Sequence, residues 1–303
     1  MTLTFDFDDI LKQSTEFETT VDKAFEDDST SNNEWSNYWK PTPDKAGNST
    51  SVIRFLPAPP GEKSPFVSYY QHYFTGSNGK VYSERSLTTL KQDDPVGKYN
   101  AKLWNSGFEE DKKTASSQKR SKKYVFNILV EKDPGKPENE GKIFLYQAGP
   151  QIFNKLKEAR KPEFDDVEAI QPFSITDTGA SFRLKTKKKG PYLNYEDSHF
   201  GPASALYGGD VEKMRAVFEG QEVYSLAEIA DVSKYKSYDE LERRLAEVLE
   251  DDGYVMENAA LSNNVNDSPT VEDDTSAKQV DETIVDMDDD EDSLNVFRDL
   301  AES

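Results

Sequence analysis

Through 50–190 the apolar residues fall in short runs and every-second-position alternations closed by Gly, Pro and Asn, a pattern of strands and turns. Val52-Ile53-Arg54-Phe55-Leu56 reads as a strand ended by Pro57-Ala58-Pro59-Pro60-Gly61. Phe66 to Phe74 is a second, and the turn Gly76-Ser77-Asn78-Gly79 returns it through Lys80-Val81-Tyr82 as a hairpin. Two more runs follow, Tyr124 to Val130 and Ile143 to Tyr146, separated by the turn material Asp133-Pro134-Gly135-Lys136-Pro137. Phe182 to Lys187 alternates strictly, with Phe182, Leu184 and Thr186 on one side and Arg183, Lys185 and Lys187 on the other.

The helical period takes over elsewhere. Pro150 stands at a favoured first helical position, with Ile152, Phe153 and Leu156 on one face. Lys98 to Trp104 and Val211 to Phe218 are further helices, and Ser237-Tyr238-Asp239-Glu240 fits a capping box that launches Leu241, Leu245, Val248 and Leu249. Near the amino terminus Phe7, Leu11, Phe17, Val21 and Phe25 recur at roughly helical spacing among acids. That is either an arm that folds on binding or a helix packed on the core. Lys112 to Lys123 has no apolar periodicity and reads as a mobile loop. The predicted fold is mainly β with helical additions (α+β), an OB-like open antiparallel barrel. It divides into an acidic arm (1–34), a core (35–250) and an acidic carboxyl-terminal tail (251–303). The tail has too little apolar content to offset its ordering entropy and is expected to be disordered.

Charge changes this picture by its distribution. The 303 residues carry a formal charge of -21, which for the whole chain disfavours a polyanionic ligand. Residues 251–303, however, hold 17 Asp/Glu against 2 Lys/Arg, and residues 1–34 hold 10 against 2, so the middle is mildly basic. Six cations crowd twelve residues there: Lys112, Lys113, Lys119, Arg120, Lys122 and Lys123. They lead directly into Tyr124. Phosphates attract Lys and Arg, and unpaired bases stack on aromatic faces, so the pattern points to single-stranded nucleic acid. Arg183, Lys185 and Lys187, extended by Lys188 and Lys189 toward Tyr192 and Tyr195, are a second candidate stretch. Each has a plainer alternative: a solvated loop, the solvent face of an edge strand, and for Tyr124 and Tyr146 a place in the core.

Other chemistry is disfavoured. The chain has no cysteine, hence no disulfide and no thiolate-held zinc. Its two histidines lie in unrelated segments, and no glycine loop suits a phosphate cradle. No apolar run approaches a membrane span, and the acidic start lacks a signal peptide's basic region. In the tail, Asp288, Asp289, Asp290, Glu291 and Asp292 are followed by Leu294, Phe297 and Leu300, the composition of a docking peptide that folds on a partner.

Several blocks then resemble one family in order and spacing: Val52-Ile53-Arg54-Phe55-Leu56-Pro57, Lys119-Arg120, Asn127-Ile128-Leu129-Val130 with Lys132-Asp133-Pro134, Pro137-Glu138-Asn139-Glu140-Gly141-Lys142, and Asn194-Tyr195 before His199-Phe200. The family is the single-stranded DNA-binding (helix-destabilising) protein of T-even-type tailed phages. The resemblance implies an OB barrel whose cleft holds single-stranded DNA, coating it during replication, recombination and repair in the cytoplasm of the infected host. It assigns cleft roles to Arg54, Lys119, Arg120, Tyr124, Tyr146, Tyr192 and Tyr195. It also implies self-association along DNA, and a tail that recruits DNA polymerase, helicase loader and primase while competing for the cleft. The rival reading is an interaction scaffold or helicase-loading adaptor with incidental DNA affinity.

Two departures stand out. The family holds zinc with one His and three Cys; here only His72 remains, with Ser86, Asp94 and Gly97 near the other positions. No cofactor is expected, and apolar packing by Tyr69, Tyr73, Tyr82 and Trp104 is the expected substitute. The family's basic arm is here acidic, with Lys12-Gln13-Ser14-Thr15 a faint trace of its patch and Lys119-Arg120-Ser121-Lys122-Lys123 a fuller one.

Overall fold

The computed structural model describes residues 36–164, 166–189, 192–250 and 254. The arm (1–34), Trp35 and the docking residues Asp288 to Leu300 lie outside them.

Eight strands form one antiparallel sheet curled into a half-barrel: β1 (Ser49–Phe55), β2 (Phe66–Thr75), β3 (Val81–Arg85), β4 (Ser121–Lys132), β5 (Ile143–Ala148), β6 (Phe182–Lys189), β7 (Tyr192–Asn194) and β8 (His199–Phe200). The order is β3-β2-β4-β1-β6-β7, with β5 on β4 and β8 on β6. Long β4 organises it. Residues 124–126 pair with both β2 and β5, and 128–129 with both β1 and β5, so β2 and β1 share the edge opposite β5.

Period two on β4 sorts its side chains. Tyr124, Phe126, Ile128 and Val130 enter the interior with Ile53, Phe55, Phe182 and Leu184, closed by Ile152 and Leu156 of α3 (Pro150–Arg160). Rings meet edge to face there, as Phe55 does with Phe126 at 5.1 Å and Phe182 at 5.6 Å. Such pairs contribute about 0.5–1.5 kcal/mol each beyond burial. The opposite face, with Val125 and Leu129, is covered by α4 (Val211–Gly220) and α5 (Leu226–Ala230).

A lobe grows from the β2–β3 hairpin. Phe74 and Tyr82 stack at 5.0 Å and pack with Leu87 and Val96 against Leu241, Leu245 and Val248 of α6 (Tyr238–Val248). The capping box at Ser237 and Glu240 forms as the sequence predicts. Gly76 is required where the hairpin turn meets α6, since a Cβ there would collide with the Val248 carbonyl.

The lobe also holds α1 (Pro95–Asn105) and α2 (Glu109–Ser117). The second corrects the sequence reading, which made Lys112 to Lys123 a mobile loop. Three acids, Glu109, Glu110 and Asp111, occupy the first turn, where the helix dipole favours them. Lys112 pairs with Glu109 at 2.7 Å, and only Ala115 is buried. The helix forms without an apolar stripe because end charges and contact with α1 supply what periodicity would.

Candidate nucleic-acid interface

The antiparallel register of β2 and β4 sets Tyr70 opposite Lys122, Ser68 opposite Tyr124 and Phe66 opposite Phe126, all on the interior face. At the end of that face the side chains alternate between cation and ring. The Arg120 guanidinium lies 4.6 Å from the centre of the Tyr70 ring. Lys122 Nζ lies 5.6 Å from Tyr70 and 5.7 Å from Tyr124. Tyr124 stacks on Phe153 of α3 at 3.8 Å with planes 8° apart, and Lys157 Nζ lies 5.6 Å from Phe153. A ladder therefore runs Arg120, Tyr70, Lys122, Tyr124, Phe153, Lys157 across β2, β4 and α3.

Its chemistry follows from that order. Among the described residues neither Arg120 nor Lys122 has a carboxylate partner, and both rest on aromatic faces while staying partly exposed. A cation over a ring remains available to phosphate, and the half-buried Tyr70 offers a flat face to a base. Tyr124 is only 8% exposed with Phe153 on one side, so it braces the ladder rather than stacking freely. Tyr70 and Lys157 are not singled out by the sequence reading, which places Phe153 only on the apolar face of a helix. The alternation Phe66, Ser68, Tyr70 opposite the basic end of β4 is the signal that carries Tyr70.

Other expected residues go elsewhere. Lys123 faces away from Lys122, opposite Tyr69, and burial lowers its pKa. Adjacent strand residues cannot share a face. Lys119, next to Arg120 in the chain, and Lys113 are exposed, whereas Lys112 is engaged by Glu109.

Two expected cleft residues are structural. Arg54 is fully buried; its guanidinium donates to the carbonyls of Ser174 (2.8 Å) and Ser204 (2.9 Å). Gly179 clears space for it, since a Cβ would strike Arg54 and the Ser174 carbonyl. Desolvation lowers the Arg54 pKa, with Glu131 opposing. Tyr146 is 3% exposed in the core against Trp39 and Phe55, and burial raises its pKa well above the phenolic range. Tyr195, just past β7, is half-buried against the same core with its pKa raised by desolvation. Tyr192 lies on β7, its side chain outside the description.

The alternation of β6 is as expected, but its direction separates the two basic clusters. Phe182 and Leu184 enter the core that Tyr124 joins, so Arg183, Lys185 and Lys187 lie on the other face of the sheet from Lys122. Asp197 holds Lys187 at 2.6 Å and Lys185 at 3.5 Å. The second candidate stretch therefore does not share a face with the first.

The zinc positions are also occupied differently than expected. His72 Nε2 faces Asp94 Oδ1 at 3.3 Å, and Ser86 donates to Asp94 Oδ2 at 2.8 Å. Asp94 also accepts from the backbone N–H groups of Leu87, Val96 and Gly97. Burial opposes ionisation of Asp94, but the His72, Ser86 and Gly97 contacts outweigh it and hold its carboxyl below the usual range. One imidazole, one carboxylate already hydrogen-bonded on both oxygens, and a glycine do not make a tetrahedral zinc set. Among the described residues no three His, Cys, Asp or Glu side chains group as metal ligands. Apolar packing is only part of the substitute: Tyr82 lies 6.4 Å from His72, whereas Tyr73 and Trp104 are exposed and Tyr69 lies on the other face of β2 under Arg85.

Comparison with known proteins places the chain in a family. Residues 47–249 match the family model described as gp32 DNA binding protein like. Over 247 residues the chain is 35% identical to the single-stranded DNA-binding protein of Enterobacteria phage T4, covering 80% of this chain and 79% of that relative. The protein of the same name from Enterobacteria phage T2 is 34% identical over the same length and shares. That of Enterobacteria phage RB70 is 39% identical over 88 residues, 28% of this chain and 73% of the relative.

Proposed function

The chain belongs to the gp32 DNA-binding-protein-like family, and from that membership and the ladder's geometry we propose that it binds single-stranded DNA without sequence specificity and performs no chemistry. The observation that carries this reading is the alternation of Arg120, Lys122 and Lys157 with Tyr70, Tyr124 and Phe153. Cations spaced by rings suit a ligand that alternates phosphates with bases. The half-barrel acts as an OB-like scaffold, its interior aromatic core fixing Tyr124 and its rim presenting Tyr70.

Within this reading the protein coats DNA during phage replication, recombination and repair inside the infected cell. It associates with copies of itself along the strand. The acidic segment with Leu294, Phe297 and Leu300 docks replication proteins such as polymerase, helicase loader or primase, and its charge competes for the cationic rim. No cofactor takes part.

Competition among single-stranded DNA, duplex and RNA, followed by fluorescence at several salt concentrations, tests the reading. Preference for a single strand is expected, with a log–log salt slope of about -2 if three ladder cations each meet a phosphate. A flat salt response removes the electrostatic part, and equal affinity for duplex removes the stacking part. Removing residues 255–303 is expected to tighten DNA binding and abolish partner recruitment; unchanged affinity would show that the tail does not compete. Retained partner binding by a variant that no longer coats DNA separates the two activities. The reverse result favours an interaction scaffold.

A further inference from the structure

We propose that the buried network of His72, Asp94 and Ser86 works without metal as a positioning device that sets the Lys119–Arg120 segment for DNA. The proposal rests on the binding reading above and adds a role for residues that touch no DNA.

The bond that carries it joins His72 Nδ1 to the backbone carbonyl of Gln118 at 2.8 Å. A carbonyl only accepts, so Nδ1 bears the proton and donates. Gln118 immediately precedes Lys119 and Arg120. The β2–β4 ladder ends at Gln71 opposite Ser121, so the bond from His72, the next residue of β2, ties the chain at Gln118, three residues before Ser121. His72 and Tyr70 share a face of β2, two residues apart. One holds the carbonyl before the cationic segment, and the other receives the Arg120 guanidinium.

The ring is itself fixed from behind. Its Nε2 faces Asp94, whose carboxylate also caps α1 through Val96 and Gly97 and receives Ser86 and Leu87. Three separate segments thus meet at one buried carboxylate. His72, Ser86, Asp94 and Gln118 are each 5% exposed or less, and burial so complete makes the bonds from His72 Nδ1 to the Gln118 carbonyl and from Ser86 to Asp94 costly to lose. A supporting layer of this kind orients a functional group by locking what lies behind it. A metal would have to take Asp94 from the N–H groups it already accepts, and Gly97 offers no side chain to replace them.

Two substitutions separate positioning from mere support. His72→Asn keeps an amide donor near the Nδ1 position, within reach of the Gln118 carbonyl, and gives up Asp94. His72→Gln reaches toward Asp94 and gives up Gln118. Both variants are expected to unfold more easily than wild type. Only His72→Gln is expected to flatten the salt slope for oligo-dT binding, by about 0.7 for each phosphate no longer held. Equal slopes for both variants and wild type would overturn the proposal whatever their stability.

Should neither variant fold, wild-type protein produced with zinc present still decides the metal-free part. Substoichiometric zinc and an affinity unmoved by a zinc chelator support it. Stoichiometric zinc whose removal changes the slope overturns it. Absence of salt-dependent binding in the wild type itself would instead remove the reading on which the proposal rests.

Discussion

The two basic clusters of this sheet differ in what each cation faces. At the start of β4, Arg120 and Lys122 lie over the Tyr70 ring, on the face that continues into the aromatic core. On β6, Lys185 and Lys187 lie on the opposite face and converge on Asp197. A cation on a ring keeps its charge available to an incoming anion, whereas a cation beside a carboxylate is already neutralised locally. The lesson is that cation count is a weaker guide to a nucleic-acid surface than the partner each cation holds before DNA arrives. Arg54 extends the contrast: its Nε and Nη2 donate to backbone carbonyls within the fold.

That third cation gives the largest expected effect. Arg54→Ala empties a fully buried site and removes the guanidinium donor from the Ser174 and Ser204 carbonyls, a loss of about 3 kcal/mol or more in denaturant unfolding. The DNA affinity of the folded fraction is expected to be unchanged, and a selective loss of binding would return Arg54 to the interface. Next, Arg120→Glu with Lys122→Glu is expected to weaken single-strand binding on the order of 100-fold at moderate salt. The same reversal at Lys185 and Lys187 should change it far less, and comparable losses would erase the distinction between the faces. Tyr70→Ala then probes the ring beneath the cations. It is expected to cost about 1–3 kcal/mol of binding with the salt slope unchanged, because stacking releases no counterion. A flattened slope would show that Tyr70 acts only by holding Arg120.

The smallest effect comes from acid. Lys187 and then Lys185 hold the Asp197 carboxyl below the usual carboxylate range. A depressed folded pKa contributes stability above the unfolded value and loses it as pH falls through the folded one. Below the ordinary carboxylate range Asp197 therefore protonates and releases both lysines, with little change in unfolding because the pair is exposed. Asp197→Asn mimics this at neutral pH and is expected to leave oligo-dT affinity nearly constant. Clear tightening would reveal β6 as a second path for the strand.

Much of this architecture is legible in the chain itself. Runs bounded by Pro and Gly locate β1, β4 and β5, the hairpin turn joins β2 to β3, and the capping box starts α6. The alternation of β6 is plain, yet period two gives two faces without saying which turns inward. That choice is made by the register of β1 and β6, which sets Ile53 opposite Phe182. Tyr70 is hidden for the same reason: its importance arises from sitting across from Lys122, a pairing that sequence spacing does not contain. Tyr146 and Arg54 cannot be assigned from spacing because burial depends on layers that arrive from distant segments. The helix through Lys112 escapes because local charge, not apolar period, supports it.

Salt titration of two double variants side by side bears most directly on the account. Arg120→Ala with Lys122→Ala is expected to make the log–log slope for single-stranded DNA shallower by about 1.4, two phosphates at roughly 0.7 each. Lys185→Ala with Lys187→Ala is expected to leave it at the wild-type value. A slope that falls for the β6 pair and holds for the β4 pair would contradict the account.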